Sequence, residues 1–327
     1  MPNALTSIKP HEVSRDLSGY SVMMYGTPKS GKTTTASKFP KALVMAFEKG
    51  YSAIPGIMAV PVNSWREFRS FLIDLKDDET KEMYKTIVID TVDIAFDYCT
   101  DYILNQNGVS SMKDIPYGGG YQMAQKEFDT CIRKILQLDY GLVLISHAKE
   151  KTQKDENGNE YEQMVPTLGN QGRLVCERTC DIIGLTMPVK QEDGKVVTKM
   201  FLRETPRYVA GSRFKYMPPV IDLTYENLAN AIAEAIDKEA AETGNQYVTT
   251  NKVNLHENPT PITYDYAAMM EEFQMLVGGL MQKNAGNRDK ITAIVDEYLG
   301  GNKKVSECTE ADVAQLDLIL REIRDLV

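Results

Sequence analysis

The sequence predicts an α/β fold, a mainly parallel central sheet with helices on both faces, followed by a small C-terminal helical unit. Three observations carry that reading. Short, continuously apolar runs of strand length alternate with segments of helical periodicity through the first three quarters of the chain. The pattern G-x-x-x-x-G-K-[ST] stands at positions 26–33, between one such strand and one such helix. A stretch rich in Asn, Thr and Pro, 244–263, then separates a core over 1–243 from a helical unit over 264–327.

Taken in order, "YSVMMYG" (20–26) is an apolar run suited to a strand buried on both faces. "KTTTASKF" starts a helix that Pro40 ends, and "ALVMAFE" (42–48) is the next strand. "WREFRSFLIDL" (65–75) places Trp65, Phe68, Phe71 and Leu72 on one helical face. "YKTIVIDTVD" (84–93) is a buried strand ending in Asp90, followed by the helix "IAFDYCTDYIL", a loop reaching Tyr121 and a long helix to about 139. "GLVLISH" (141–147) is the next strand. The polar stretch 148–166 reads as a mobile loop or a hairpin. "CDIIGLTMPV" and "VVTKMFLRE" bracket an Asp-Gly turn, so antiparallel strands finish the sheet, and a helix over 225–243 closes the core. Beyond 263, helical segments lie near 265–283, 287–299 and 309–326, the last with Thr309 and Asp312 as its start signal. There are no internal repeats.

Composition narrows the functional classes. No run is apolar and long enough to span a bilayer, and "MPNALTSIKPHEVSRD" lacks the apolar stretch of a secretory leader, so a cytoplasmic protein is expected. Five scattered cysteines argue against a disulfide framework. Cys176 and Cys180, as C-x3-C with no second pair to complete four ligands, read as reduced core thiols before they read as a zinc site. The net charge of −9 is uneven: from Glu257 onward 13 acidic residues face 7 basic ones, leaving the first 256 residues close to neutral. A local basic groove in the core is compatible with that balance.

The glycine-bounded loop assigns roles by chemical need. Gly26, Thr27, Pro28, Lys29, Ser30, Gly31, Lys32, Thr33 and Thr34 would wrap a triphosphate, the two glycines allowing close backbone approach so that successive N–H groups face the phosphates. Lys32 would neutralise β- and γ-phosphate charge. The Thr33 hydroxyl would ligate Mg²⁺, with ATP as the expected nucleotide. Asp90, at a strand end, suits the Walker B carboxylate that supports the metal; Asp93 is its rival, and a helix N-cap is the plainer reading of Asp90. Glu48 would lie beside the loop if its strand is close to the loop's strand, and could activate water. His147, also at a strand end, could sense the γ-phosphate, or simply be satisfied by local hydrogen bonds.

The order of phosphate loop, strand ending in Glu48, Asp90, the strand ending "ISHAKE", a polar loop, then "FLRETPRYVAGSRF" resembles the RecA-like ATPases of bacteriophages, the compact single-strand annealing or recombinase proteins. The resemblance covers roughly 18–240. It implies a RecA-like P-loop NTPase core, ATP held between subunits of a ring or filament, and Glu48 as the residue that activates water. It further implies single-stranded DNA contacts by segments near 107–121, with Tyr117, Gly118, Gly119, Gly120 and Tyr121, and near 148–175. Arg213, or Arg207, would reach a neighbour's ATP, although "AGSR" replaces a common lysine. From the residues themselves, Lys149, Lys151, Lys154 and Arg173 could pair with phosphates and the two tyrosines could stack on bases. Asp155, Glu156, Glu160 and Glu162 sit among those lysines and leave solvated loops as the alternative. The acidic C-terminal unit could dock a single-strand-binding protein, restrain DNA access, or only cap the fold. An ATP-driven motor such as a helicase and a nucleotide-dependent interaction module are the competing functional classes.

Overall fold

The computed structural model describes residues 10–244, 247–253, 264–284 and 286–326. It divides into two compact units, one within 9–257 and one within 258–327. In the larger unit the strands are β1 (Val13–Ser14), β2 (Ser21–Gly26), β3 (Ala42–Ala46), β4 (Ala59–Pro61), β5 (Thr86–Asp90), β6 (Gly141–Lys154), β7 (Glu160–Pro166), β8 (Ile182–Lys190), β9 (Val196–Phe201), β10 (Gly211–Ser212), β11 (Val220–Asp222) and β12 (Val248–Thr249). Its helices are α1 (Lys32–Ala36), α2 (Trp65–Asp74), α3 (Asp78–Met83), α4 (Val92–Asn107), α5 (Gly119–Gln137), α6 (Asn170–Thr179) and α7 (Tyr225–Thr243).

The central sheet runs β11-β9-β8-β2-β6-β5-β3-β4. From β8 to β4 every neighbouring pair is parallel, and β9, β10 and β11 close one side antiparallel, which the Asp-Gly turn announced. The period-two alternation of each strand sorts its side chains between two cores. Met23, Met45, Ile87, Ile89, Leu142 and Leu144 face α2, α4, α5 and α6. Val22, Met24, Val44, Val88, Val143 and Ile145 face the other layer, where α7 buries Leu228, Ile232 and Ile236. With both faces covered, a polar residue on either side would lose water without gaining a partner, so these strands read as unbroken apolar runs.

Some local departures have plain causes. α1 is shorter than the expected 32–39, ending at Ala36, with Phe39 turned into the core beside Tyr225. α5 starts at Gly119, two residues inside the expected loop, after a turn in which Tyr117 and Gly118 both take positive φ. The stretch 148–166 is a hairpin: β6 continues beyond the sheet and pairs with β7 from Ala148↔Pro166 to Lys154↔Glu160. Of the expected linker 244–263, positions 245–246 and 254–263 lie outside the described residues; the part that is described includes β12, which pairs with β1 in parallel.

The smaller unit comprises α8 (Tyr266–Lys283), α9 (Asn287–Leu299) and α10 (Val313–Arg324), packed through Met269, Leu280, Ile291, Leu316, Ile319, Leu320 and Ile323. Thr309 and Asp312 form a reciprocal capping box, but it opens a single 3₁₀ turn and α10 begins one residue later. Arg324 grips Glu272 with two bonds of 2.7 and 2.8 Å, tying α10 to α8.

Candidate nucleotide site

The carboxyl ends of β2, β5 and β6 and the segment after β3 converge on a cleft of about 440 Å³ at one edge of the sheet. Its walls are the loop Pro28–Thr34, Glu48, Asp90, Thr91 and His147, together with Gly50, Ala53 and Ile54. Open α/β sheets place ligands at this edge, because strand ends and helix starts leave backbone groups without partners there.

The two glycines of the loop do different work. A Cβ on Gly26 would lie 2.0 Å from the carbonyl oxygen of Thr186, so Gly26 is what allows β2 to run against β8 at this point. Gly31 has φ +89, and Lys29 shares the left-handed region at φ +61, so the intervening backbone curls tightly, the kind of turn whose N–H groups can receive an anion. Thr186 also bonds the Ser30 hydroxyl (3.0 Å), bracing the loop from β8. A threonine inside "IIGLTMPV" gave no motif by which the sequence could reveal that role.

Lys32 is 6% exposed, and its ammonium donates to the carbonyls of Gly26 (3.1 Å) and Thr27 (2.8 Å). Burial pulls its pKa below the usual lysine value, opposed by the carboxylates of Asp90, Asp93 and Glu48. The Thr33 hydroxyl donates to Asp90 Oδ2 at 2.6 Å. Burial raises the Asp90 pKa and that hydrogen bond resists the rise. Across the cleft, the Asp90 carbonyl accepts from the backbone N–H groups of Phe47 (2.7 Å) and Glu48 (3.0 Å), which fixes where Glu48 leaves its strand.

Glu48 reaches the cleft by a route the sequence did not indicate. Two strands, β6 and β5, stand between β2 and β3, so the strands are not neighbours. The carboxylate is placed instead by His147, whose Nε2 lies 3.1 Å from Glu48 Oε2. With Nε2–H donating, Nδ1 is left as a buried acceptor without a partner among the described residues.

Asp93 takes a part distinct from the metal role it was weighed for. Its carboxylate accepts from the Ser146 hydroxyl (2.8 Å), the Thr167 hydroxyl (2.6 Å) and the His147 backbone N–H (3.1 Å). The Thr167 N–H in turn donates to the His147 carbonyl at 2.9 Å. This clamp binds the root of the β6–β7 hairpin to the strand that carries His147. A second tie comes from Tyr25, next to the loop, whose hydroxyl contacts the carbonyls of Val209 (2.6 Å) and Met164 (3.1 Å).

Other expected residues are not gathered here. Arg213 follows β10, which pairs with the amino-terminal end of β8, at the sheet edge opposite the cleft; it pairs with Asp181 at 3.0 Å and donates to the Arg178 carbonyl. Arg207 is exposed beside β7, where its carbonyl accepts from Met164. Arg173 pairs with Glu177 on α6. Tyr117 is fully exposed, and Tyr121 is 40% exposed at the start of α5.

The hairpin register resolves the mixture of charges in its sequence. Directly paired residues share a face and successive residues alternate. One face therefore carries Lys149, Lys151 and Gln153 opposite Val165, Gln163 and Tyr161. The other carries Glu150, Thr152 and Lys154 opposite Met164, Glu162 and Glu160, and there Lys154 is paired with Glu160. Lysines and glutamates adjacent in sequence are thus separated in space.

Cys176 and Cys180 are buried, with thiol pKa values raised chiefly by desolvation, and among the described residues no cluster of three or more His, Cys, Asp or Glu side chains is arranged to hold a metal. Among those residues also, no helix is long and apolar enough to cross a membrane.

Residues 18–214, the stretch containing the loop, Glu48, Asp90, His147 and the hairpin, match the family model described as an AAA domain. The chain belongs to the AAA domain family of P-loop NTPases. The AAA domain match takes in the cleft and both hairpin strands, and it stops before α7. Over 325 residues, 96% of each chain, the sequence is also 30% identical to the SPbeta prophage-derived uncharacterized protein YorG of Bacillus subtilis (strain 168). That similarity extends past the AAA domain into the C-terminal helices.

Proposed function

We propose that the protein is a Mg²⁺-dependent ATPase with a RecA-like mode of action, assembling as a ring or filament on single-stranded DNA and serving phage recombination by annealing or strand exchange. The observation that carries the proposal is β6 itself: its inner half ends at the nucleotide cleft and its outer half becomes a hairpin with a basic, aromatic face. The prophage origin of a relative similar over almost the whole chain supports the phage setting.

The residues present fit a Mg-nucleotide. The cleft offers a tightly curled glycine-bounded loop, a buried ammonium, a hydroxyl–carboxylate pair, and two buried polar atoms without partners among the described residues, Thr91 Oγ1 and His147 Nδ1. Lys32 and the loop N–H groups would bind phosphate oxygens. Thr33 and Asp90 would hold Mg²⁺, which when bound neutralises charge building on the phosphates. Glu48 Oε2 would accept the proton of the attacking water, and His147, donating to that oxygen, keeps the carboxylate aimed into the cleft. The Asp93 clamp would carry a shift of His147 to the hairpin root. Lys149 and Lys151 would meet DNA phosphates while Tyr161 offers a ring for stacking.

The test is ATP turnover with and without single-stranded DNA, with electron microscopy of the same samples. Turnover rising with DNA, and ordered assemblies on the strands, are expected. No salt-sensitive binding to single strands together with DNA-independent turnover overturns the proposal.

A further inference from the structure

The outer helical layer holds a groove larger than the nucleotide cleft. Between α2 and α5, floored by α4, one cavity of about 620 Å³ shares Arg66 and Tyr102 with a second of about 490 Å³. Arg66 and Arg69 line it from α2, Lys76 from the turn that follows α2, and Lys134 from α5. In a chain of net charge −9 this is a concentration of positive charge. Among the described residues the side chains of Arg66, Lys76 and Lys134 have no ion pair or hydrogen bond, whereas Arg69 stands 3.6 Å from Glu127. Like charges held together without counter-charges repel one another, a cost that an anionic ligand would offset.

The groove floor specifies more than charge. The Tyr102 hydroxyl accepts from Arg69 Nη1 and from Gln106 Nε2, both of which can only donate. Its own proton is therefore free for an acceptor, placed among the cations. Beside it, Ile73 is 61% exposed, a branched apolar side chain on the rim of an otherwise amphipathic helix. Glu127, in the same wall, is occupied by the Trp65 indole N–H (2.9 Å) and Arg69, so it does not cancel the other three cations.

We propose that this groove docks an acidic segment of a partner protein bearing an apolar anchor residue: carboxylates on Arg66, Lys76, Lys134 and the Tyr102 O–H, the anchor against Ile73. A carboxylate-rich peptide with an apolar side chain satisfies both features of the groove, while a sugar–phosphate backbone would leave Ile73 unmatched. The surface is separate from the nucleotide cleft, and the inference stands whether or not the ATPase reading does.

Fluorescence anisotropy with the full chain tests it, using a short labelled peptide of Asp and Glu around a central Phe-Leu pair. Controls are the same peptide with Asn and Gln, one without the apolar pair, and an oligonucleotide of equal charge. Salt-sensitive binding of the first peptide is expected, weaker for both peptide controls, and reduced about tenfold or more in the double variant Arg66→Glu, Lys134→Glu, with nucleotide binding unchanged. Should that double variant melt early, Arg66→Gln with Lys76→Gln gives the same comparison more gently, and hydrogen exchange should slow on α2 and α5 when peptide is added. The proposal is overturned by absent binding, by binding indifferent to these substitutions, by equal binding of the anchor-free peptide, or by an oligonucleotide that displaces the peptide from the groove.

Discussion

Between Gly141 and His147, β6 lies between two parallel neighbours with every residue from Gly141 to Ser146 buried; from Ala148 to Lys154 the same strand leaves the sheet and pairs with β7 alone. The composition changes at the same point, from "GLVLISH" to "AKEKTQK". The inner half, covered on both faces, must be apolar. The outer half has solvent on both faces, so charge is tolerated and alternation sorts it into a lysine face and a glutamate face. The join between them, Ser146–His147, is where the Asp93 clamp and Glu48 meet. The sheet-bound and solvent-facing parts of the strand thus meet at a residue that lines the cleft.

The largest effect should come from the inner end. Lys32→Ala removes a buried ammonium that would contact phosphate, and charge-assisted contacts of about 1.5–3 kcal/mol each predict a loss of Mg-ATP affinity of about tenfold to a hundredfold or more by calorimetry. Next, Glu48→Gln should leave nucleotide affinity within a few-fold and lower turnover by about 10²–10⁴ in single-turnover assays. Normal turnover in that variant would remove Glu48 from the site. At the outer half, Lys149→Glu with Lys151→Glu should flatten the dependence of single-strand affinity on salt by about 1.4 in log–log slope, since each phosphate contact on a single strand contributes about 0.7. Glu160→Lys with Glu162→Lys on the opposite face should not flatten it; equal behaviour of the two faces would erase the distinction drawn from the register.

Smaller effects probe the join. Asp93→Ala removes the shared acceptor of the Ser146 and Thr167 hydroxyls and the His147 N–H, leaving the hydroxyls only the His147 carbonyl, and should cost about 1–3 kcal/mol of unfolding stability, with faster proteolysis in the hairpin; Asp93→Asn should recover part of it. The smallest effect has the opposite sign. Burial raises the Asp90 pKa in the fold, so the neutral acid is favoured there. Its contribution to stability is complete at pH below the unfolded carboxyl value and is lost as pH rises through the raised folded value. At neutral pH the ionised group therefore costs stability. Asp90→Asn should raise the melting temperature of the nucleotide-free protein by a few degrees, roughly 2–4 °C per kcal/mol, while removing the extra stabilisation by Mg²⁺.

Much of the sheet was legible because burial on both faces leaves a strong, continuous signal: β2, β3, β5 and the inner half of β6 fall where the apolar runs lie. The loop's position was equally plain from Gly26, Gly31, Lys32 and Thr33. What escaped was whatever depends on strand order. Two strands intervene between Gly26 and Glu48, and only the fold shows that His147 bridges the distance. Asp90 and Asp93, three positions apart, differ because one ends a strand and the other stands in the first turn of α4, facing Ser146 and Thr167. Thr186 and Ile54 lie in segments without a motif. Arg213, expected to reach a neighbour's ATP, stands at the edge away from its own chain's cleft because β10 pairs with the start of β8, a placement that sequence order alone does not show.

The most direct test of the account is single-strand affinity measured on one preparation with and without a slowly hydrolysed Mg-ATP analogue, in the unaltered chain and in Asp93→Ala. If the cleft and the hairpin are joined through β6, the analogue should tighten binding in the unaltered chain and lose most of that influence in the variant. Identical affinities with and without the analogue in the unaltered chain would contradict it.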